Sequence, residues 1–204
     1  FQPLRRTPMH AQHEAAGAYF EPVGLWRRPY CFPLEGETHE AAVQREVLNT
    51  RNALGLLDAS TLGKIIVKGP DAGRFLDMLY TGVMSTLPVG KCRYGLMCNE
   101  QGFLSDDGVV ARLAPQHFYV SATTGNAAAI YREMQRRVAE WRLDVVLHNL
   151  TGHMAAMNLA GPCCVTVLAA LTDIALDDAA FPYLAVREGN VAGARARVLR
   201  VGFV

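Results

Sequence analysis

Two adjacent aspartates, Asp106 and Asp107, stand in the segment "FLSDDGVVARL", which otherwise has the alternating pattern of a half-buried strand. Successive side chains of a strand point to opposite faces, so only one of the two carboxylates can face a given pocket. Asp106 shares its face with the apolar Leu104 and Val110, and we expect it to be the one turned inward. A buried carboxylate needs hydrogen bonds or a cationic ligand, and it could bind or polarise a protonatable nitrogen. The alternative is that both aspartates are solvated or cap a turn.

Three other residues could do chemistry. Tyr94 lies in "KCRYGLMC", across a short "NEQG" turn from Asp106, where it could line a slot for an aromatic ligand or simply pack across the strands. His10 and His13 could share a helix face as metal ligands, but no third ligand is evident and a surface role is favoured. The sequence contains no GxGxxG, P-loop or CxxC motif, which argues against a Rossmann dinucleotide site and against zinc.

The composition limits the classes of partner. Half of the 204 residues are apolar and the formal charge is +1, so the chain can form one large or two small cores and carries no broad charge for nucleic acid or a membrane surface. No apolar run reaches the ~18 to 20 residues of a membrane span, and no leader opens the chain, so we expect a cytoplasmic protein. The five cysteines should be mostly buried thiols, with Cys163 and Cys164 in the core.

Two similar strand, turn and helix units organise the chain. Gly69-Pro70 follows "GKIIVK" and Gly161-Pro162 follows "MNLA", with an apolar helix pattern after each, and the two glycines are 92 positions apart. We infer a weak internal duplication. A helix is predicted over residues 40–53, before the first unit.

The segments between and after these units predict antiparallel pairs. A hairpin ("KCRYGLMC" to "FLSDDGVVARL"), a strand ("HFYVSATTG") and a helix capped by Asn126 should follow the first unit. "RLDVVLHNL" should pair with "HMAAMNLAG", and a last hairpin should turn at residues 188–190. The predicted class is α+β, with two small, mainly antiparallel sheets and helices on one face.

The predicted organisation is a wrapping segment over residues 1–37 and a single functional domain over residues 38–204, which could divide into two subdomains near 140–150. The chain begins without Met and ends in an alternating strand pattern, "ARARVLRVGFV". We therefore expect it to be part of a longer protein.

Several strings, in this order, resemble the folate-binding aminomethyltransferase family of the glycine-cleavage T-protein: "RRTPMHAQHEAAGA", "REVLNTRNALGLLDASTLGKIIVKGPDAGRFL", "GKCRYGLMCNEQGFLSDDGVVARL" and "NLAGP". Within the family, "WRRPYCFP" and "DASTLGK" look most like the C-terminal region of sarcosine oxidase α subunits. The resemblance implies a T-protein-like fold, incomplete at its C-terminus, with a tetrahydrofolate site. It also implies that flavin and NAD belong to other regions or subunits of an oxidase complex, whose subunits are the expected partners.

In that branch, the resemblance implies that a flavin oxidises sarcosine and that tetrahydrofolate turns the resulting imine into 5,10-methylenetetrahydrofolate and glycine; without folate, formaldehyde is released. Asp106 matches the carboxylate beside the reactive folate nitrogens, which makes it the expected catalytic residue. Leu62 matches a position that packs on the folate and Tyr94 one that lines the pterin. Val120 and Ser121, in the stretch Val120–Thr123, match positions that border the ligand.

The family's next segment, of "GELGYE" type, carries a glutamate that grips the pterin and lies outside these residues, so this piece alone is expected to be inactive. Two other functional hypotheses stay open. One is a stand-alone aminomethyltransferase or demethylase of the T-protein family. The other is a non-catalytic folate-binding relative, such as an iron-sulfur assembly factor, against which the family pattern of "SDDGV" argues.

Overall fold

The computed structural model describes residues 5–202. Its elements, in chain order, are α1 (His10–Ala15), β1 (Tyr19–Val23), β2 (Trp26–Cys31), α2 (His39–Asn52), β3 (Gly55–Asp58), β4 (Gly63–Lys68), α3 (Ala72–Leu79), β5 (Lys91–Cys98), β6 (Leu104–Ala114), β7 (His117–Ala122), α4 (Ala127–Trp141), β8 (Val146–Asn149), β9 (Met157–Ala160), α5 (Cys164–Ala169), β10 (Val186–Val191) and β11 (Ala194–Leu199). The predicted α+β class with small antiparallel sheets is confirmed. None of the helices within residues 5–202 is long and apolar enough to cross a membrane.

Contacts divide the chain into two compact units. One comprises residues up to Leu62 together with Gly152–Leu168, and the other comprises Gly63–Thr151 together with the residues from Ala169 onward. The part of the 1–37 segment that the structure describes therefore groups with α2 and β3. The chain returns to the first unit after Thr151.

The second unit is built on a five-stranded sheet in the order β5-β6-β7-β4-β8, with every neighbouring pair antiparallel. Helices α3 and α4 cover one face. Residues of β4, such as Ile65 and Val67, pack there with Phe75 of α3 and Met134 of α4, and these four side chains are at most 1% exposed. The core thus forms where the apolar sides of the two helices pack against alternate residues of the strands, as the sequence periodicity predicts.

The opposite face of this sheet carries a smaller apolar cluster. Cys92, Val109 and Ala111 pack there with Val186, which begins the β10–β11 hairpin. This hairpin is confirmed, but its turn was predicted at residues 188–190 and lies at Ala192-Gly193 instead. Both turn residues have positive φ, 49° and 80°, and an Ala in that conformation gives a weaker sequence signal than Gly or Asn.

The first unit contains α1, the β1–β2 hairpin, α2 and the two-stranded sheet β3–β9. Thr38 caps α2 by accepting a hydrogen bond from Ala41 N at 3.2 Å. A hydrogen-bond contact joins α1 to the end of β3, because His13 Nε2 lies 2.8 Å from Oδ2 of the buried Asp58. Burial raises the pKa of Asp58, but hydrogen bonds from Ser60 and His13 outweigh it and hold that pKa below its ordinary value.

Three further local predictions are wrong. β8 and β9 do not pair with each other: β8 pairs with β4, and β9 pairs with β3. The side chain of Asn126 does not cap α4 and instead donates to Ser105 O at 2.6 Å. Cys163 is exposed and Cys164 half-buried, so neither is a core residue; helix α5, which begins at Cys164, buries no side chain.

Candidate functional site

Asp106 is the inward member of the aspartate pair, as the sequence predicts. It is 5% exposed, and it lies opposite the buried Met97 on β5. The face is not shared with Leu104, which is 61% exposed. The reason is an irregularity in the β5–β6 register, where Met97 pairs with Asp106 but Cys98 pairs with Leu104, leaving Ser105 as an extra residue. Such a bulge turns the strand locally and can re-aim a side chain toward a site.

Thr123 contacts both carboxylates from the end of β7. Its backbone N–H donates to Asp106 Oδ2 at 3.2 Å, and its hydroxyl donates to Asp107 Oδ1 at 3.2 Å. Asp107 also accepts a hydrogen bond from the hydroxyl of Tyr94. These three donors are neutral groups, so they do not cancel the negative charge of the two carboxylates. The local potential therefore favours a ligand that is cationic or rich in N–H donors.

Tyr94 lies on β5 with 44% of its surface exposed. The hydrogen bond to Asp107 raises the pKa of Tyr94, with smaller contributions from partial burial and from the charges of Asp107 and Asp106. The phenol therefore stays protonated and acts as a donor to Asp107. Its ring remains accessible to an aromatic ligand.

Tyr80 adds a second, buried phenol near the pair, which sequence reasoning missed. Burial raises the pKa of Tyr80, and the charges of Asp106 and Asp107 raise it further. The ring of Tyr80 occupies the space beside Gly95, where a Cβ would lie 2.7 Å from Tyr80 Cδ1. Tyr80 directly follows α3, so no strand pattern in the sequence connects it with the aspartates.

Glycines shape the strands beside the carboxylates. Gly108 pairs with Gly95 in the β5–β6 ladder, and a Cβ on Gly108 would lie 2.1 Å from Ser121 O. β7 therefore approaches β6 at a distance that only glycine permits. The hydroxyl of Ser121 accepts a hydrogen bond from Val109 N at 2.8 Å. This contact lies next to Val110 and Val120, the pair at which the regular β6–β7 ladder ends.

The second compact unit contains four of the five predicted ligand-contacting residues: Tyr94, Asp106, Val120 and Ser121. Of these, only Asp106 and Tyr94 take part in the hydrogen bonds around the two aspartates. The side chain of Val120 is 0% exposed and packs in the helix-covered core, and that of Ser121 is used to join β7 to β6. Leu62 is half-buried and ends the first stretch of the other unit. A ligand role for these residues stays a prediction.

Two grooves of the second unit lie elsewhere. One is lined by apolar and basic side chains of β4, β7, β8 and β11, and the other by residues 173–175, 180 and 187–189. Neither contains Asp106 or Tyr94. Among residues 5–202, no three His, Cys, Asp or Glu side chains are grouped so that they could hold a metal ion.

Residues 9–204 match the family described as the GCVT N-terminal domain, and the chain belongs to that family. It is 43% identical over 196 residues to the sarcosine oxidase subunit alpha of Rhizobium meliloti, covering 95% of this chain and 20% of that protein. It is 35% identical over 199 residues to an aminomethyltransferase of Corynebacterium aurimucosum, covering 97% of this chain and 51% of that one.

A solved structure agrees with these relationships. The glycine cleavage system aminomethyltransferase T from Bartonella henselae superposes with a TM-score of 0.77 at 31% identity, over 90% of this chain and 47% of that chain. The chain thus spans about half the length of these aminomethyltransferases and a fifth of the sarcosine oxidase subunit. The resemblance to the T-protein family and the T-protein-like fold are confirmed.

Proposed function

We propose that these residues are the folate-binding part of a protein of the sarcosine oxidase α type, which transfers the one-carbon unit of oxidised sarcosine to tetrahydrofolate and leaves glycine. The observation that carries the proposal is the carboxylate of Asp106, 5% exposed at a strand bulge and held by Thr123 N–H. A buried acid is costly unless a ligand or fixed donors compensate it. A function for Asp106 explains that cost.

The cluster fits a reduced pterin in its donor and acceptor types. A carboxylate has about four acceptor sites on its two oxygens, so Asp106 can accept hydrogen bonds from ring N–H groups in addition to that of Thr123. Tyr94 lies on the same pair of strands but bonds to Asp107, so its half-exposed ring offers an apolar surface beside Asp107. Tetrahydrofolate, when bound, supplies the amine nitrogens that take up the one-carbon unit.

The chain's own contribution would be positioning and electrostatics. Asp106 can orient an amine and stabilise a neighbouring positive charge, because its geometry is fixed before the ligand arrives. Asp107, hydrogen-bonded to Tyr94 and Thr123, holds the Tyr94 ring in place and adds negative charge. Flavin and NAD chemistry would lie in other regions or subunits.

The proposal is tested with Asp106→Ala in the full-length oxidase complex. Formation of methylenetetrahydrofolate should fall by about 100-fold or more, as expected for loss of one preorganised electrostatic group, while the rate of sarcosine oxidation is unchanged. Asp178→Ala is the matched control, because the Asp178 side chain is 90% exposed and pairs with Arg200. An equal loss of both activities in Asp106→Ala, or a loss of neither, would contradict the proposal.

A stand-alone aminomethyltransferase is the second candidate, favoured by the match of nearly the whole chain to aminomethyltransferases at 30 to 35% identity. The full-length protein separates the two functions when it is assayed with sarcosine and with an aminomethylated lipoyl carrier. Folate-dependent turnover of the carrier without sarcosine oxidation would favour this second candidate. Folate binding without turnover of either substrate would indicate a non-catalytic relative.

A further inference from the structure

Basic side chains stand together on the face of the five-stranded sheet that lies opposite α3 and α4. In the ladders, Lys68 of β4 pairs with His117 of β7, and Ile66 of β4 pairs with His148 of β8. Directly paired residues of neighbouring strands point to the same face. The four side chains therefore share the face opposite to that of Val67, which packs in the helix-covered core.

These four side chains help to line a groove of about 410 Å³, a size within the range of small-molecule sites. Its apolar part is formed by Ile66, Val146 and Leu150, and Arg197 of β11 adds a further cation. The guanidinium carbon of Arg197 lies 5.2 Å from the ring centre of Tyr119, so it stands over β7. Within residues 5–202, no acidic side chain lines the groove.

The guanidinium of Arg197 is only partly paired. Its Nε and Nη2 donate to Oε1 of Glu188 at 3.0 and 2.7 Å, but its Nη1 is buried and has no hydrogen-bond partner among the described residues. In Arg187, on the partner strand of the same hairpin, both terminal nitrogens donate to backbone carbonyls. A buried donor without an acceptor is costly, so Arg197 has the capacity and the need for one more acceptor.

His117 presents a second buried nitrogen of this kind. Its Nε2 has no hydrogen-bond partner in the part of the chain that the structure describes. Burial lowers the pKa of His117, and the charges of Lys68 and Arg197 lower it further, against a smaller opposite effect of Glu188. The acid therefore does not balance the two cations at this position. The local potential is positive, which favours a bound anion.

We propose that this groove binds a small organic anion, in which a carboxylate or phosphate group is attached to an apolar body. The oxygen atoms of the anion accept hydrogen bonds from Nη1 of Arg197 and from His117, as charge-assisted pairs of this type do, and Lys68 balances the remaining charge. Lys68 and His148 are exposed, so their side chains can move to admit the anion to the two buried nitrogens.

The apolar body of the ligand lies on Ile66 and Val146. Val146 is 65% exposed, and covering it removes apolar surface from water, which adds to the affinity. Neither Asp106 nor Tyr94 lines this groove, so the inference is independent of the folate proposal.

Calorimetric titration of the full-length protein with inorganic phosphate, phenyl phosphate and benzoate tests the proposal. At least one of the two aromatic anions should bind about tenfold or more tightly than inorganic phosphate, because its ring covers the apolar part of the groove. Tighter binding of phenyl phosphate assigns the anionic group as a phosphate, and tighter binding of benzoate assigns it as a carboxylate. Absence of binding by all three probes would overturn the proposal.

Three variants locate the bound anion. Arg197→Lys keeps the charge but removes Nη1, and Lys68→Gln removes an exposed charge; each should weaken binding at least about tenfold, as loss of one charge-assisted contact does. Arg132→Gln is the matched control, because Arg132 is exposed on α4, which covers the other face of the sheet, and it should leave the affinity unchanged. Thermal unfolding without anions checks that each variant folds, and Lys68→Gln decides the question if Arg197→Lys does not. Equal affinities in the wild-type protein and the folded groove variants would overturn the proposal.

Discussion

The backbone N–H of Thr123 donates to Oδ2 of the buried Asp106 at 3.2 Å. The donor belongs to the main chain just beyond β7, so the carboxylate is fixed by the path of the backbone rather than by a side chain. The hydroxyl of the same threonine holds Asp107. A substitution of the Thr123 side chain can therefore remove the hydrogen bond to Asp107 and leave the one to Asp106 in place.

Thr123→Val removes the hydroxyl but keeps the N–H. We expect the free energy of unfolding to fall by about 0.5 to 1.5 kcal/mol, the usual net value of one hydrogen bond, and the one-carbon transfer rate to change by less than about tenfold, because Asp106 keeps its donor. Urea unfolding and a transfer assay measure the two effects. Thr123→Ser is the control and should retain the stability; equal losses in Val and Ser variants would show that the hydroxyl bond to Asp107 contributes nothing.

Asp107→Asn should lower the pKa of Tyr94. The hydrogen bond to Asp107 is the largest cause that raises this pKa, and the substitution removes both that charge and the ionic acceptor. The phenol should then ionise closer to its ordinary pKa of about 10. Titration of selectively labelled tyrosine by NMR measures the change. An unchanged Tyr94 pKa in Asp107→Asn would mean that the pair is not formed in solution.

Gly108→Ala should destabilise the protein by about 1 to 3 kcal/mol, the usual cost of overpacking. The added methyl would lie 2.1 Å from Ser121 O, a backbone atom that cannot move aside alone. Gly125→Ala is the matched control, because a Cβ there meets nothing within 4 Å. Urea unfolding compares the two variants, and equal midpoints would contradict the close approach of β7 to β6.

Asp58→Asn should reduce stability in a pH-dependent way. Because hydrogen bonds hold the pKa of Asp58 below its ordinary value, its ionised form stabilises the fold above the unfolded-state pKa of about 3.9, and that contribution is lost as the pH falls through the lower folded-state pKa. We expect a loss of about 1.5 to 3 kcal/mol at pH 7, shrinking below pH ~4. Urea unfolding between pH 3 and pH 7 checks this. A difference that does not depend on pH would exclude an ionised Asp58 paired with His13.

Local periodicity predicted most of the second unit. The strands "GKIIVK" and "KCRYGLMC" and the helix over residues 127–141 lie where alternating and 3.6-residue patterns place them. The inward side of Asp106 was also predictable, since Val110 shares its face. The bulge at Ser105 was not, because an extra residue in one strand depends on the partner strand and leaves the local pattern nearly unchanged.

Pairing between distant segments could not be predicted in the same way. "RLDVVLHNL" and "HMAAMNLAG" are adjacent and both strand-like, so a hairpin is the simplest expectation, yet each joins a strand about 80 to 100 residues earlier. The position of Tyr80 and Thr123 beside the aspartates could not be predicted either. Their place near the carboxylates follows from sheet order, and neither residue type marks a site by itself.

The affinity of the full-length protein for tetrahydrofolate, with and without Asp106→Asn, tests the central claim most directly. The substitution keeps the size of the side chain but removes its charge and half of its acceptor capacity. We predict that the dissociation constant rises by at least about tenfold, equivalent to 1.4 kcal/mol, while Asp178→Asn leaves it unchanged. Equal affinities for the wild-type protein and Asp106→Asn would contradict a direct contact between Asp106 and the folate.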